Sequence, residues 1–110
     1  MTIQEEGNDW IEVAALDHLF EGAGIAVPVG FKEVALFLLN GEVFATDNQC
    51  THGEARLCEG FLEDYEIECP FHQGRFDIRT GAATMAPCSQ AIRTWPVRVE
   101  KGRVYLGTSG

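Results

Sequence analysis

Apolar positions in this chain come in short runs, each closed by a turn-forming pair. Val34 to Leu39 is the longest run and has the length of one strand. Asn40-Gly41 follows it, and Glu42 to Thr46 resumes the apolar pattern. An Asn-Gly pair between two such runs predicts a tight β-hairpin, because both residues tolerate positive φ. Phe61-Leu62 and Tyr65 to Cys69 predict a second hairpin around Glu63-Asp64. Gly74 to Ile78 reads as a strand, Thr80-Gly81 as a turn, and Ala82 to Gln90, with Pro87 inside it, as a loop. Ala91 to Glu100 alternates as a strand, which Lys101-Gly102 turns into Arg103 to Leu106. Upstream, Trp10 to Ala14 is a short apolar stretch, and Ala15 to Gly22 fits one helical turn ended by glycine. Ile25 to Val29 is a strand whose Pro28 places it at an edge or strand end. Gly107 to Gly110 is expected to be loose. Seven to nine short strands and one helical turn imply an all-β fold of antiparallel sheets.

With 110 residues the chain has room for one domain, spanning 1–110, and none for a second independent core. No apolar run reaches the length of a membrane span. Met1-Thr2-Ile3-Gln4-Glu5-Glu6 is acidic and polar, unlike a secretory signal, so a cytoplasmic monomer is the simplest expectation. The formal net charge of −9 argues against nucleic acid and against an anionic membrane surface. Four cysteines in a reducing compartment are expected to be ligands or thiols rather than disulfides.

Two of the cysteines stand beside two of the three histidines, in Cys50-Thr51-His52-Gly53 and Cys69-Pro70-Phe71-His72. A thiolate and an imidazole two or three residues apart can point into one site from a tight loop. Two such loops at hairpin tips make a two-sulfur, two-nitrogen donor set, suited to tetrahedral zinc or to an iron–sulfur cluster with mixed ligation. A zinc-stabilised binding module is one reading. Against it, the intervening segment is strand–turn–strand rather than the helix-bearing finger, and the chain carries apolar residues enough for a core without a structural metal.

Cys-x-His-Gly followed by Cys-Pro-x-His-x-Gly resembles the signature of the Rieske [2Fe–2S] family. The resemblance extends over Leu39 to Asn48 before the first motif, over Gly74-Arg75-Phe76-Asp77 and Thr80-Gly81 after the second, and to Ala86-Pro87, similar to the family's proline loop. It implies one [2Fe–2S] cluster, with Cys50 and Cys69 on the buried iron and His52 and His72 on the outer one. Neutral imidazoles in place of two thiolates raise the potential to about −150 to +300 mV, against about −400 mV for plant-type ferredoxins. Respiratory members carry a disulfide between the loops and hydroxyls near the sulfurs. Ala55 and Phe71 stand where those cysteines would be, and Gly74 and Phe76 where the hydroxyls would be. The chain is thus similar to the low-potential Rieske ferredoxins of bacterial aromatic-ring-hydroxylating dioxygenases, of the naphthalene type. That implies a one-electron carrier rather than an enzyme. Its partners would be a flavin-containing, NAD(P)H-dependent reductase and a terminal oxygenase. A small subunit of another oxidoreductase, such as a nitrite reductase, is the further alternative.

Other residues take plainer expectations. Cys58 and Cys88 read as buried or half-buried thiols, and His18 as a surface histidine. Glu59, Glu63, Asp64, Glu66 and Glu68 form an acidic stretch, either a solvated face or a docking rim. Leu57, Phe71 and Pro87 are expected near the tip as an apolar contact patch. Gly53 and Gly74 would let backbone N–H groups approach the sulfides.

Overall fold

The computed structural model describes residues 9–51, 54–70 and 73–108. Among these it has ten strands and two single turns of 3₁₀ helix, and all strand pairs are antiparallel. The strands are β1 (Trp10–Ala15), β2 (Ala23–Val29), β3 (Lys32–Leu39), β4 (Glu42–Asp47), β5 (Phe61–Glu63), β6 (Glu66–Glu68), β7 (Arg75–Asp77), β8 (Ala83–Met85), β9 (Val97–Glu100) and β10 (Arg103–Gly107). They form three sheets, ordered β1-β10-β9, β2-β3-β4 and β5-β6-β7-β8.

The longest apolar run becomes β3, the middle strand of its sheet, buried on both faces. Val34 and Leu36 face one core with Val27, Val43, Trp95, Val104 and Leu106. Ala35 and Phe37 face the other, with Cys50, Leu57, Ile67, Cys69, Phe76 and Cys88. A strand alternates its side chains between faces, so a continuous apolar run is what a strand between two cores requires. Asn40 (φ 54°) and Gly41 (φ 78°) make the expected tight turn into β4. Pro28 sits opposite Glu33 on β2, an edge strand, where its missing N–H costs no ladder bond.

Several expectations are corrected. The second hairpin turns at Asp64 (φ 52°), one residue later than expected, so that Glu63 and Glu66 pair across it. A short polar side chain such as aspartate tolerates the left-handed region. The loop after Gly81 contains β8, paired with β7; three residues carry too little period to show. Ala91 to Pro96 is not strand. It crosses between sheets, joined to β4 by Asp47 N–H to Arg93 O at 2.9 Å and Trp95 N–H to Ala45 O at 2.9 Å. The strand proper starts only after Pro96, which lacks an N–H to donate. Gly107 is not loose: it ends β10 opposite Trp10, and its N–H donates to Pro96 O at 3.0 Å.

Candidate metal centre

The first motif loop leaves β4 at Asn48, whose side chain is fully buried and hydrogen-bonded at both ends of its amide. Its Oδ1 accepts the Cys58 N–H at 2.8 Å, its Nδ2 donates to Glu33 Oε1 at 3.1 Å, and its carbonyl accepts the Leu57 N–H at 2.7 Å. Above it, the Cys50 N–H donates to Ala55 O at 3.0 Å, and Gln49 bridges Arg56. The excursion from Gln49 to Arg56 therefore starts and ends at one point. Arg56 holds that point from outside, donating to both carboxylate oxygens of Glu33 at 3.0 and 2.9 Å and to Glu59 at 2.7 Å. These bonds, from Arg56 first and Asn48 second, hold the Glu33 carboxyl below its ordinary range, and the same pairing raises Arg56.

The second motif loop joins β6 to β7. It is closed by the Cys69 N–H donating to Gly74 O at 2.7 Å, with Gln73 at φ 65° making the return. A third segment, Ala86 to Gln90, lies against both. The Cys88 N–H donates to Met85 O at 3.2 Å, and the Thr51 hydroxyl reaches Gln90 O at 3.0 Å, tying the first loop to the third.

Three cysteine side chains meet beneath these loops. Cys50, Cys69 and Cys88 are all buried in the core built on Phe37 and Phe76. Cys50 Sγ and Cys88 Sγ are 4.0 Å apart. Burial first, then Cys50 and Cys69 nearby, push the Cys88 thiol up to about 12. A Cβ added to Gly74 would lie 2.3 Å from Cys88 Sγ. Gly74 is thus needed to admit a side chain, a different use of the missing Cβ from the backbone approach expected of it.

Of the four expected ligands, the structure brings Cys50 and Cys69 into one core. His52 and His72 lie outside the described residues, as do Gly53 and Phe71. The donor chemistry fits the implied cluster on its sulfur side: two buried thiols, one from each loop, at the inner end of the site. Phe76 is fully buried and offers no hydroxyl.

Leu57 is not part of a contact patch. It has no exposed surface and packs in the core beside Cys50 and Cys69, because the 3₁₀ turn Leu57–Glu59 folds it inward under the loop. Pro87 is exposed, as a tip residue should be, and so are His18 and the side chain of Phe61. Cys58 is half-buried against the same core. The acidic stretch is largely paired within the molecule. Arg75 contacts Glu63 at 3.0 Å, Glu66 at 3.4 Å and Glu68 at 3.0 Å, and Glu59 pairs with Arg56. Sequence reading missed Asn48, Glu33 and Arg56 as supports of the first loop. No local pattern marks them, since Glu33 is distant in the chain.

The Rieske [2Fe-2S] domain family matches residues 9–96. The ferredoxin component of a naphthalene 1,2-dioxygenase system from Pseudomonas putida is 53% identical over 100 residues, covering 91% of this chain and 96% of that protein. The ferredoxin of carbazole 1,9a-dioxygenase from Nocardioides aromaticivorans IC177 superposes with a TM-score of 0.85 at 39% identity, covering 88% of this chain and 95% of that one. A chain from a complex of reduced oxygenase and oxidised ferredoxin in carbazole 1,9a-dioxygenase gives a TM-score of 0.83 at 37% identity, covering 88% and 91%.

Proposed function

The chain belongs to the Rieske [2Fe-2S] domain family, and from that premise we propose that it is the ferredoxin of an aromatic-ring dioxygenase system. It carries single electrons from a flavin-containing reductase to a terminal oxygenase and is not itself an enzyme. The observation that carries this reading is the meeting of Cys50 and Cys69, one from each motif loop, in a single buried core. The relatives' names support the dioxygenase role over a zinc module or a nitrite reductase subunit.

Cys50 and Cys69 would hold one iron of the cluster, and His52 and His72 the other. The bound cluster supplies reversible uptake of one electron. The residues around it decide how readily. Phe37, Leu57 and Phe76 exclude water from the sulfur side. Asn48, Glu33 and Arg56 fix the first loop, so that little rearrangement accompanies electron transfer. Gly74 and Phe76 provide no hydroxyl to a ligand sulfur, which supports a midpoint near the low end of the Rieske range, about −150 mV. A thiolate-ligated cluster suits a reducing, cytoplasmic setting. Among the described residues, no helix is long and apolar enough to cross a membrane.

The test is reconstitution: NADH-driven product formation with a reductase and an oxygenase should depend on adding this protein. The purified protein should be red-brown and bleach on reduction. A colourless, zinc-containing protein overturns the reading, and a midpoint above about 0 mV overturns the low-potential assignment.

A further inference from the structure

Position 74 has no side chain, and the volume that one would occupy is filled by sulfur. A Cβ on Gly74 would sit 2.3 Å from Cys88 Sγ and 3.1 Å from its Cβ. The Cys88 side chain therefore enters the centre from a third segment, through the gap that Gly74 leaves in the second loop. Its Sγ stops 4.0 Å from Cys50 Sγ, within range of a sulfur–sulfur hydrogen bond. Both atoms are buried, with residue exposures of 3% for Cys50 and 5% for Cys88.

Direction follows from chemistry. A cysteine bound to iron is a thiolate and can only accept. Cys88 is outside the ligand set, and its thiol is the S–H group of the pair, so Cys88 is the donor. Donors to ligand sulfurs are among the levers that set cluster potentials, because they stabilise the charge added on reduction.

We propose that Cys88 tunes the centre: its thiol donates a hydrogen bond to Cys50 Sγ and favours the reduced state. It is a positioning residue, acting through Cys50, and the proposal rests on the Rieske reading above. One electron enters the cluster, the thiol proton stays on Cys88, and no bond to sulfur forms or breaks. A thiol is a weaker donor than a hydroxyl, so this contribution is compatible with a low-potential centre.

The test is a redox titration of the cluster-loaded protein. Cys88→Ala should lower the equilibrium constant for reduction about threefold, or about 28 mV at 59 mV per decade for a one-electron couple. Its oxidised visible spectrum should be unchanged. Cys88→Ser, which retains a donor, should move the midpoint back toward wild type. Equal midpoints for Cys88→Ala and wild type, with cluster content intact, overturn the proposal. Should Cys88→Ala fail to hold its cluster, Cys58→Ser leaves Cys88 as the one cysteine outside the ligand set. In that protein the S–H infrared band should move to lower frequency on reduction, as Cys50 Sγ becomes a stronger acceptor. A stationary band overturns the proposal. Failure of the Rieske reading looks different, since wild type itself would then carry no reducible chromophore.

Discussion

Asn48 and Cys58 are joined across the base of the first motif loop, the Asn48 side-chain Oδ1 accepting the Cys58 backbone N–H at 2.8 Å. Asn48 is 1% exposed, so its Oδ1 accepts this bond where water does not compete, while its Nδ2 reaches outward to the exposed Glu33 carboxylate. Asn48→Ala leaves the Cys58 N–H with no side-chain acceptor and should cost about 1–3 kcal/mol. Denaturant unfolding of the cluster-loaded protein should show a lower midpoint, and visible absorbance should be lost faster. An unchanged midpoint would mean that the loop does not depend on this clasp.

Acid should loosen the same loop through Glu33. Its carboxyl titrates below the ordinary value in the folded protein, chiefly because Arg56 donates to it. The folded pKa is thus lower than the unfolded one, about 4.3. The stability it contributes is complete above that value and is lost as pH falls through the folded one. Glu33→Gln should remove part of the acid sensitivity while lowering stability at neutral pH. Asp77, also held low by Arg79, contributes acid sensitivity of the same sign. Rates of cluster loss between about pH 3 and 6 check this; identical acid profiles for the variant and wild type would reject it.

Leu57 and Phe61 make a contrasting pair in adjacent elements. Leu57 is buried at 0% exposure, whereas Phe61 is 75% exposed. Leu57→Ala opens a cavity beside Cys50 and Cys69 and should cost about 2–5 kcal/mol, with weakened cluster retention. Phe61→Ala should change stability by no more than about 0.5 kcal/mol. Thermal melts separate the two. A Leu57→Ala protein with wild-type melting and reduced transfer to an oxygenase would instead restore Leu57 to a contact role.

Arg75, on β7, is the shared counter-charge of β5 and β6, reaching Glu63, Glu66 and Glu68. Arg75→Gln leaves three carboxylates facing one another and should lower the thermal midpoint at low ionic strength. Added salt should recover part of that loss by screening the repulsion. Wild type should respond to salt far less. Steering of a partner by this face should also strengthen in the variant, visible as a steeper dependence of transfer rate on ionic strength.

Local sequence suffices for the Asn40-Gly41 hairpin, the all-β fold and the donor types. Asn40-Gly41 sets its turn locally, and Cys50, His52, Cys69 and His72 place two sulfur–nitrogen donor pairs within two short motifs. Both are properties of neighbours in the chain. Tertiary structure alone decided what surrounds those donors. Leu57 turns inward because a 3₁₀ turn under the loop sends it there, although its type suits a surface patch equally well. Ala91 to Pro96 alternates like a strand but spans two sheets, and only the position of β4 shows where its backbone bonds go. Glu33 supports a loop that begins well after it in sequence, and Cys88 reaches Cys50 from a third segment through the gap at Gly74. Such contacts depend on which distant surfaces meet in the core, and no local period or propensity encodes that.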